Sequence, residues 1–216
     1  MKKILFIGAK NKGKLLIEML YNDDVILREK LKIFGIYDDM LEKPFFKSKI
    51  KFFNKRIDLI KLVKKVDYYI LAIGNNKIRK KYANFLFDFK IKPFTIISKK
   101  AIIDKNVKIG KGSQIMPGSV IRSNTLIGEH CIINTNSSID HDCNIKNYVH
   151  IMGSAALAGS VIVDEFSNIG TNATIIPNIS IGKNSYIGAG SVVLKNVKSN
   201  LVVAGNPARI LKKTNL

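Results

Sequence analysis

The stretch "IGEHCIINTNSSIDHDCNI" (Ile127–Ile145) decides how the chain must be read. Isoleucine stands at positions 127, 133, 139 and 145, six residues apart each time. Four residues after each of the first three comes a small side chain: Cys131, Ser137 and Cys143. An α-helix returns to the same face about every 3.6 residues and a strand every 2, so neither accounts for a step of six. A strict six-residue period is the mark of a parallel β-helix, in which short strands alternate with tight turns and successive coils stack.

Working outward, the step of six lands on an aliphatic residue at sixteen positions from Ile103 to Val193, with no insertion. Glycine follows the aliphatic at 110, 128, 170, 182 and 188, where a wide turn is needed. The first hundred residues obey another rule. Strand-like runs (Lys3–Ala9, Lys32–Asp39, Tyr68–Asn76, Phe94–Ser98) alternate with amphipathic ones (Lys12–Asn22, Arg56–Val66, Lys77–Phe89). That alternation predicts a parallel sheet with helical crossovers. The expected fold is therefore α/β plus all-β: a small Rossmann-like parallel-sheet domain over residues 1–98, then a parallel β-helix with a short tail over residues 99–216.

Composition narrows the function. The chain of 216 residues carries a formal charge of +20, and residues 1–100 hold 25 of the 36 basic side chains against 10 of the 16 acids. Such a charge attracts anions. No helix-turn-helix, zinc-finger or RNP pattern accompanies it, so small anions are expected as ligands rather than nucleic acid. No apolar run reaches the roughly 18 residues of a membrane span, and no signal peptide is recognisable, so a cytoplasmic protein with no membrane partner is expected. Two cysteines, Cys131 and Cys143, form no disulfide framework or zinc pattern, and no metal is expected.

One motif invites a nucleotide reading. "FIGAKNKGKLL" (Phe6–Leu16) is a P-loop but for Leu15, which replaces the hydroxyl residue that holds Mg²⁺. NTP hydrolysis is therefore not expected. What remains is a glycine turn between a strand and a helix, which offers backbone N–H groups to an anion beside Lys10, Lys12 and Lys14. On a parallel sheet, ligands bind beyond the carboxyl ends of the strands. Three clusters lie there: Gly8–Gly13, Asp38–Asp39 and Gly74–Asn76.

The repeat and the closing "VVAGNPARIL" (Val202–Leu211) resemble the hexapeptide-repeat acyltransferases. That resemblance implies a left-handed β-helix with three hexads per coil. Together with "AIGNNKIRKK" (Ala72–Lys81), the front clusters narrow it to bacterial acetyltransferases with an N-terminal nucleotide-sugar-binding domain. These comprise UDP-4-amino-sugar N-acetyltransferases and sialic acid O-acetyltransferases, and the likeness is closer to the former. The resemblance implies acetyl-CoA as co-substrate, a UDP-linked 4-amino-4,6-dideoxy sugar as acceptor and a homotrimer with coenzyme A between neighbours. It puts Asp38 and Asp39 by the nucleobase and ribose. The loop residues Gly8, Ala9, Lys10, Asn11, Lys12 and Gly13, with Gly74, Asn75 and Asn76, line the diphosphate and sugar. The chain departs from the family at Asn11 and Lys12, where a glycine and a histidine are usual.

The chemistry falls to the repeat. His141 occupies a turn position two residues after Ile139, with Asp142 next to it. An imidazole can deprotonate an amine near neutral pH, and a carboxylate on its other nitrogen fixes the tautomer. "HDC" matches the family's His-acid-Cys segment, with Asp in place of the usual Glu. Adding 18 places Gly159 one coil away, where its N–H could hold a developing oxyanion. By resemblance, Asn134 and His150 lie near the acetyl group, and the main chain at Thr171 and Ala189 lines the coenzyme A arm. His130 matches nothing and reads as a surface residue. Two alternatives stay open: an O-acetyltransferase acting on sialic acid, and a non-enzymatic scaffold or polyanion-binding module. The His141–Asp142 pair argues against the second.

Overall fold

The computed structural model describes every residue except 45, 48, 215 and 216. It contains two compact units, Met1–Phe94 and Thr95–Leu216.

The front unit is a five-stranded parallel sheet of order β3-β2-β1-β4-β5. Its strands are β1 (Lys2–Ile7), β2 (Leu31–Tyr37), β3 (Phe52–Phe53), β4 (Tyr68–Leu71) and β5 (Lys92–Pro93). The helices are α1 (Asn11–Asn22), α2 (Val25–Arg28), α3 (Arg56–Val63) and α4 (Asn76–Asp88). β1 is central, and Ile4 to Ile7 are all at most 1% exposed, which explains its unbroken apolar run. Ile7 pairs with Tyr37 on one side and Leu71 on the other. That register brings the ends of β1, β2 and β4 level, so the segments that follow them share one rim.

Residues Phe94–Ser98 depart from expectation. Lys92–Pro93 provides the last strand of the front sheet, while Ile96–Ile97 pairs with Gln114–Ile115 in the β-helix. The reason lies in the period: Ile97 stands six residues before Ile103 and eighteen before Ile115, so it belongs to the first hexad of the prism.

The second unit is the left-handed β-helix. Its two-residue strands form three parallel sheets. Residues eighteen apart are neighbours throughout: Ile121, Ile139 and Leu157 in one sheet, Ile127, Ile145 and Val163 in the next, Ile133, Ile151 and Ile169 in the third. All of these side chains are at most 4% exposed. The small residues between them satisfy the turns. Ser113 Oγ donates to Gly128 O (2.7 Å) and accepts from Cys131 N (2.9 Å). Ser167 repeats the pattern with Gly182 O (2.8 Å) and Ser185 N (3.0 Å). Loss of one such buried partner costs about 1–3 kcal/mol.

From Gly112 to Gly190 the corners are turned by residues in the left-handed region, again every six positions; among them Asn124, His130, Asn136, Asp142 and Tyr148 have φ between 53° and 61°. Asn and Asp adopt this conformation most readily of the residues with a side chain. Where aromatics occupy it, they stack between coils. His130 and Tyr148 lie 5.2 Å apart at 14°, and Tyr148 and Phe166 5.3 Å apart at 8°. His130 is accordingly only 5% exposed, which corrects its reading as a surface residue. Leu201–Gly205 then adds beside Tyr186–Ile187 and folds back antiparallel as Ala208–Lys213.

Candidate active site

The front unit carries a cavity of about 280 Å³ beyond the carboxyl ends of β1, β2 and β4. Of the residues expected there, Gly8, Lys10, Lys12, Asp38, Asp39, Gly74 and Asn75 line it. Gly8 is required where it stands: its φ is 109°, and a Cβ would lie 2.6 Å from Ala72 O, just beyond the end of β4. Asp38 is 9% exposed and holds the rim together, its Oδ2 accepting from Ala9 N (2.8 Å) and its Oδ1 from Met40 N (3.0 Å). Each oxygen keeps a second lone pair for a ligand. Asp39 Oδ2 accepts from Tyr82 O–H at 2.6 Å, and burial, then this bond, holds the phenol above its ordinary range. Asn75 caps α4, its Oδ1 accepting from Ile78 N at 3.0 Å. Ala9, Asn11, Gly13 and Asn76 do not line the cavity.

Asn76 instead faces Arg79, a residue the sequence reading missed. The Arg79 side chain is wholly buried. It donates to Ile73 O (3.1 Å), Gly74 O (3.0 Å) and Asn76 Oδ1 (2.8 Å), so it fixes the loop after β4. An available signal was its type. In a lysine-rich helix a lone arginine marks a place where a planar fork of donors is needed. Lys12 lies at the cavity, and burial, then the charge of Arg79, lowers its pKa to about 7.

In the β-helix, His141 projects from a corner with 58% of its side chain exposed. Its Nδ1 lies 2.7 Å from Asp142 Oδ2. Its backbone N–H donates to Asp140 Oδ1 at 2.8 Å. The bond to Asp142, then the charge of Asp140, raises the imidazole pKa above its ordinary value. The same bond, followed by one from Asn124, lowers that of Asp142. With Nδ1 on the carboxylate, Nε2 is left to face a substrate. Gly159 sits against it: a Cβ there would stand 2.7 Å from both Nε2 and Cε1. Among the described residues the Gly159 N–H makes no hydrogen bond.

The thiols are not placed for nucleophilic attack. Cys131 and Cys143 are at most 1% exposed and donate to Lys146 O (3.0 Å) and Ala158 O (3.2 Å), and burial raises the Cys143 pKa. Among the described residues no group of three His, Cys, Asp or Glu side chains could hold a metal ion, and no helix is long and apolar enough to cross a membrane.

The remaining candidates are not brought to His141. Thr171 and Ala189 precede the left-handed turns at Asn172 and Gly190. They belong to the corner of Asn136 and Ser154, whereas His141 and Gly159 belong to the corner of Asp142 and Ser160. A whole face of the prism separates the two. Asn134 lies by the first of these corners, its Oδ1 accepting from Thr135 N (2.9 Å), and His150 lies on a strand leading to it, beside Ile132 and Asn168. Within one chain the donor-binding candidates and the base are therefore at different edges.

Comparison with known proteins matches the two units to two different families. Residues 3–86 match the PglD N-terminal domain family, and residues 106–141 match the bacterial transferase hexapeptide family. Among solved structures, a perosamine N-acetyltransferase variant from Caulobacter crescentus in complex with CoA and GDP-perosamine is 27% identical, with a TM-score of 0.89 over 99% of this chain and 98% of that one. The acetyltransferase domain of PglB from Neisseria gonorrhoeae, in complex with acetyl coenzyme A, is 27% identical with a TM-score of 0.85 over 97% and 99%. WeeI from Acinetobacter baumannii is 29% identical, with a TM-score of 0.85 over 98% and 100%. The 2,3,4,5-tetrahydropyridine-2,6-dicarboxylate N-acetyltransferase of Clostridium perfringens is 40% identical over 72 residues, a match spanning 30% of each chain.

Proposed function

We propose that this chain, which belongs to the hexapeptide-repeat acetyltransferases with a PglD-type front domain, transfers the acetyl group of acetyl-CoA to the amino group of a nucleotide-linked 4-amino sugar. The observation that carries the reading is the exposed imidazole of His141, held by Asp142 on one nitrogen and facing Gly159 with the other. The solved relatives that hold CoA, acetyl-CoA or GDP-perosamine support it.

The reaction follows from those groups. The front cavity takes the nucleotide, with its diphosphate near Lys10 and Lys12. Nε2 of His141 accepts a proton from the sugar amine as the nitrogen lone pair attacks the thioester carbon. The C–N bond forms, and the carbonyl oxygen becomes an oxyanion that the Gly159 N–H stabilises. The C–S bond then breaks, and the coenzyme A thiolate leaves and takes the proton from the imidazolium. Asp142 keeps the imidazole in one tautomer and stabilises its charged form. Attack is direct, because both thiols are enclosed.

The two edges that carry the base and the donor site meet only if a second chain lies alongside. The family resemblance implies a homotrimer, and on that reading each site is made from His141 of one protomer and the Thr171–Ala189 edge of the next, with Asn134 and His150 on the acetyl side. A cytoplasmic reaction is part of the proposal, because acetyl-CoA is supplied there.

The test is an acetyl-transfer assay on UDP-linked and GDP-linked 4-amino sugars and on sialic acid. UDP is the carrier implied by the resemblance; the GDP-perosamine relatives make GDP the necessary second arm. Coenzyme A release with either amino sugar and none with sialic acid is the expected result. Turnover of sialic acid alone would replace the amine with a hydroxyl acceptor, and turnover of none would reject the reading.

A further inference from the structure

We propose that Asn124, one coil before the catalytic corner, is a positioning residue that fixes the Asp142 carboxylate so that one oxygen is always presented to His141. The inference rests on the acetyl-transfer reading above.

Asn124 and Asp142 are eighteen residues apart and turn the same corner, with φ of 61° and 58°. Asn124 Nδ2 donates to Asp142 Oδ1 at 3.1 Å, while Asp142 Oδ2 serves His141 Nδ1 at 2.7 Å. The two carboxylate oxygens are thus divided between two partners, and the plane of the carboxylate is set. The backbone holds the pair in register, with Asp142 N donating to Ser123 O at 3.0 Å. Such an anchor matters here because about half of the Asp142 side chain is exposed. Without the amide, Asp142 can rotate about Cβ–Cγ, and water competes with the imidazole for both oxygens. An exposed hydrogen bond then holds only part of the time.

The contact is one the prism makes readily. Asn184 Nδ2 donates to Asn200 Oδ1 at 2.9 Å in the same stacked fashion at another corner, far along the coil from His141. What distinguishes Asn124 is its acceptor, the carboxylate that orients the base. Nor does the backbone dictate asparagine there: Ser154, Ser160 and Phe166 adopt the same left-handed turn.

The test uses Asn124→Gly and Asn124→Asp in the full chain, with His141→Asn as reference. Both replacements tolerate the positive φ, so the corner is kept. Glycine removes the donor; aspartate keeps the shape but replaces the donor with a second negative charge. The measurements are kcat, the KM for each substrate and the acidic limb of kcat/KM against pH. Each variant should lose roughly tenfold in kcat, the scale of one hydrogen bond to a charged group, with both KM values within about twofold. The limb should move in opposite directions. With glycine it falls toward the ordinary histidine value of about 6.5, because the carboxylate no longer stays on Nδ1. With aspartate it rises, because the added charge favours the imidazolium. A purely structural role would change the melting temperature and leave the limb in place. Wild-type kcat and an unmoved limb in both variants, with His141→Asn inactive, would overturn this inference alone. Full turnover by His141→Asn would overturn it together with the reading beneath it.

Discussion

The cavity of the front unit and the corner of the β-helix are built on opposite principles. At the cavity, polar groups are spent on one another: Asp38 on two backbone amides, Asp39 on Tyr82, Arg79 on the loop after β4. These bonds form within one chain, so the cavity is set before any ligand arrives. At the corner, His141 and Asp142 stand half exposed, and the edge proposed to hold the thioester, that of Thr171 and Ala189, is a different one. Binding is preorganised; in the proposed assembly the reacting centre is completed by a wall from a second protomer.

The sharpest way to break this comparison is His141→Asn. If the corner supplies only chemistry, kcat falls by roughly 10² or more, while the affinity of the sugar nucleotide for the front unit is unchanged. Turnover assays and isothermal titration on the same preparation separate the two, and equal losses in both would show that the regions are not independent.

Next comes the claim that two chains build one site. His141→Asn and a variant with a bulky residue on the donor edge, Ala189→Trp, should each be inactive alone. Co-expressed and randomly assembled, they place an intact histidine beside an intact donor edge at about a quarter of the interfaces. Recovery to about a quarter of wild-type activity is therefore expected. A site contained in one chain would recover nothing, since every chain in the mixture carries one lesion.

A third test sharpens the geometry at the corner. Gly159→Ala sets a methyl carbon 2.7 Å from Nε2 and Cε1 of His141, closer than carbon atoms pack, so the imidazole must swing away. Because that ring is exposed, the fold tolerates the change. Activity should fall between about 10- and 100-fold with the melting temperature within a degree or two, since displacing a reacting group by an ångström has that scale of effect. Wild-type activity would remove Gly159 from the site.

The two regions also differ in what their sequences disclose. In the β-helix, residue number modulo eighteen is nearly a coordinate. It located the corner of His141 and the stacking of Gly159 on it. The same arithmetic puts Thr171 and Ala189 on another edge, and would have put Ile97 in the first coil had the count begun six residues earlier. Side chains escape it where they leave the lattice: His130 looked exposed, but Tyr148 and Phe166 stack in line with it. The front unit has no such lattice. The rim could be read because parallel strands align their ends, and Gly8, Asp38 and Gly74 follow from that alone. Tyr82 and the environment of Lys12 depend on partners far apart in sequence, Asp39 and Arg79, and Arg79 on the local path of the loop after β4, neither of which periodicity encodes. Asn76 illustrates the limit: it stands at the start of α4, next to the right loop, but its side chain bonds Arg79.

The smallest expected effect concerns protons at the preorganised cavity. Lys12 has a folded pKa of about 7 against an ordinary 10.5. Between those values the unfolded chain binds more protons at this site than the folded one, so the Lys12 contribution makes stability rise with pH from about 7 toward 10. A diphosphate in the cavity reverses the balance by favouring the ammonium form. Binding of the sugar nucleotide should then take up about half a proton per site at pH 7 and approach one at pH 8.5. Isothermal titration in buffers of different ionisation enthalpy measures that uptake directly. Lys12→Arg stays charged throughout and should bind without it, while the corner variants His141→Asn and Gly159→Ala should show the wild-type value. Proton uptake that vanished in the corner variants would mean that the cavity is not set in advance, and that the two regions share one electrostatic site.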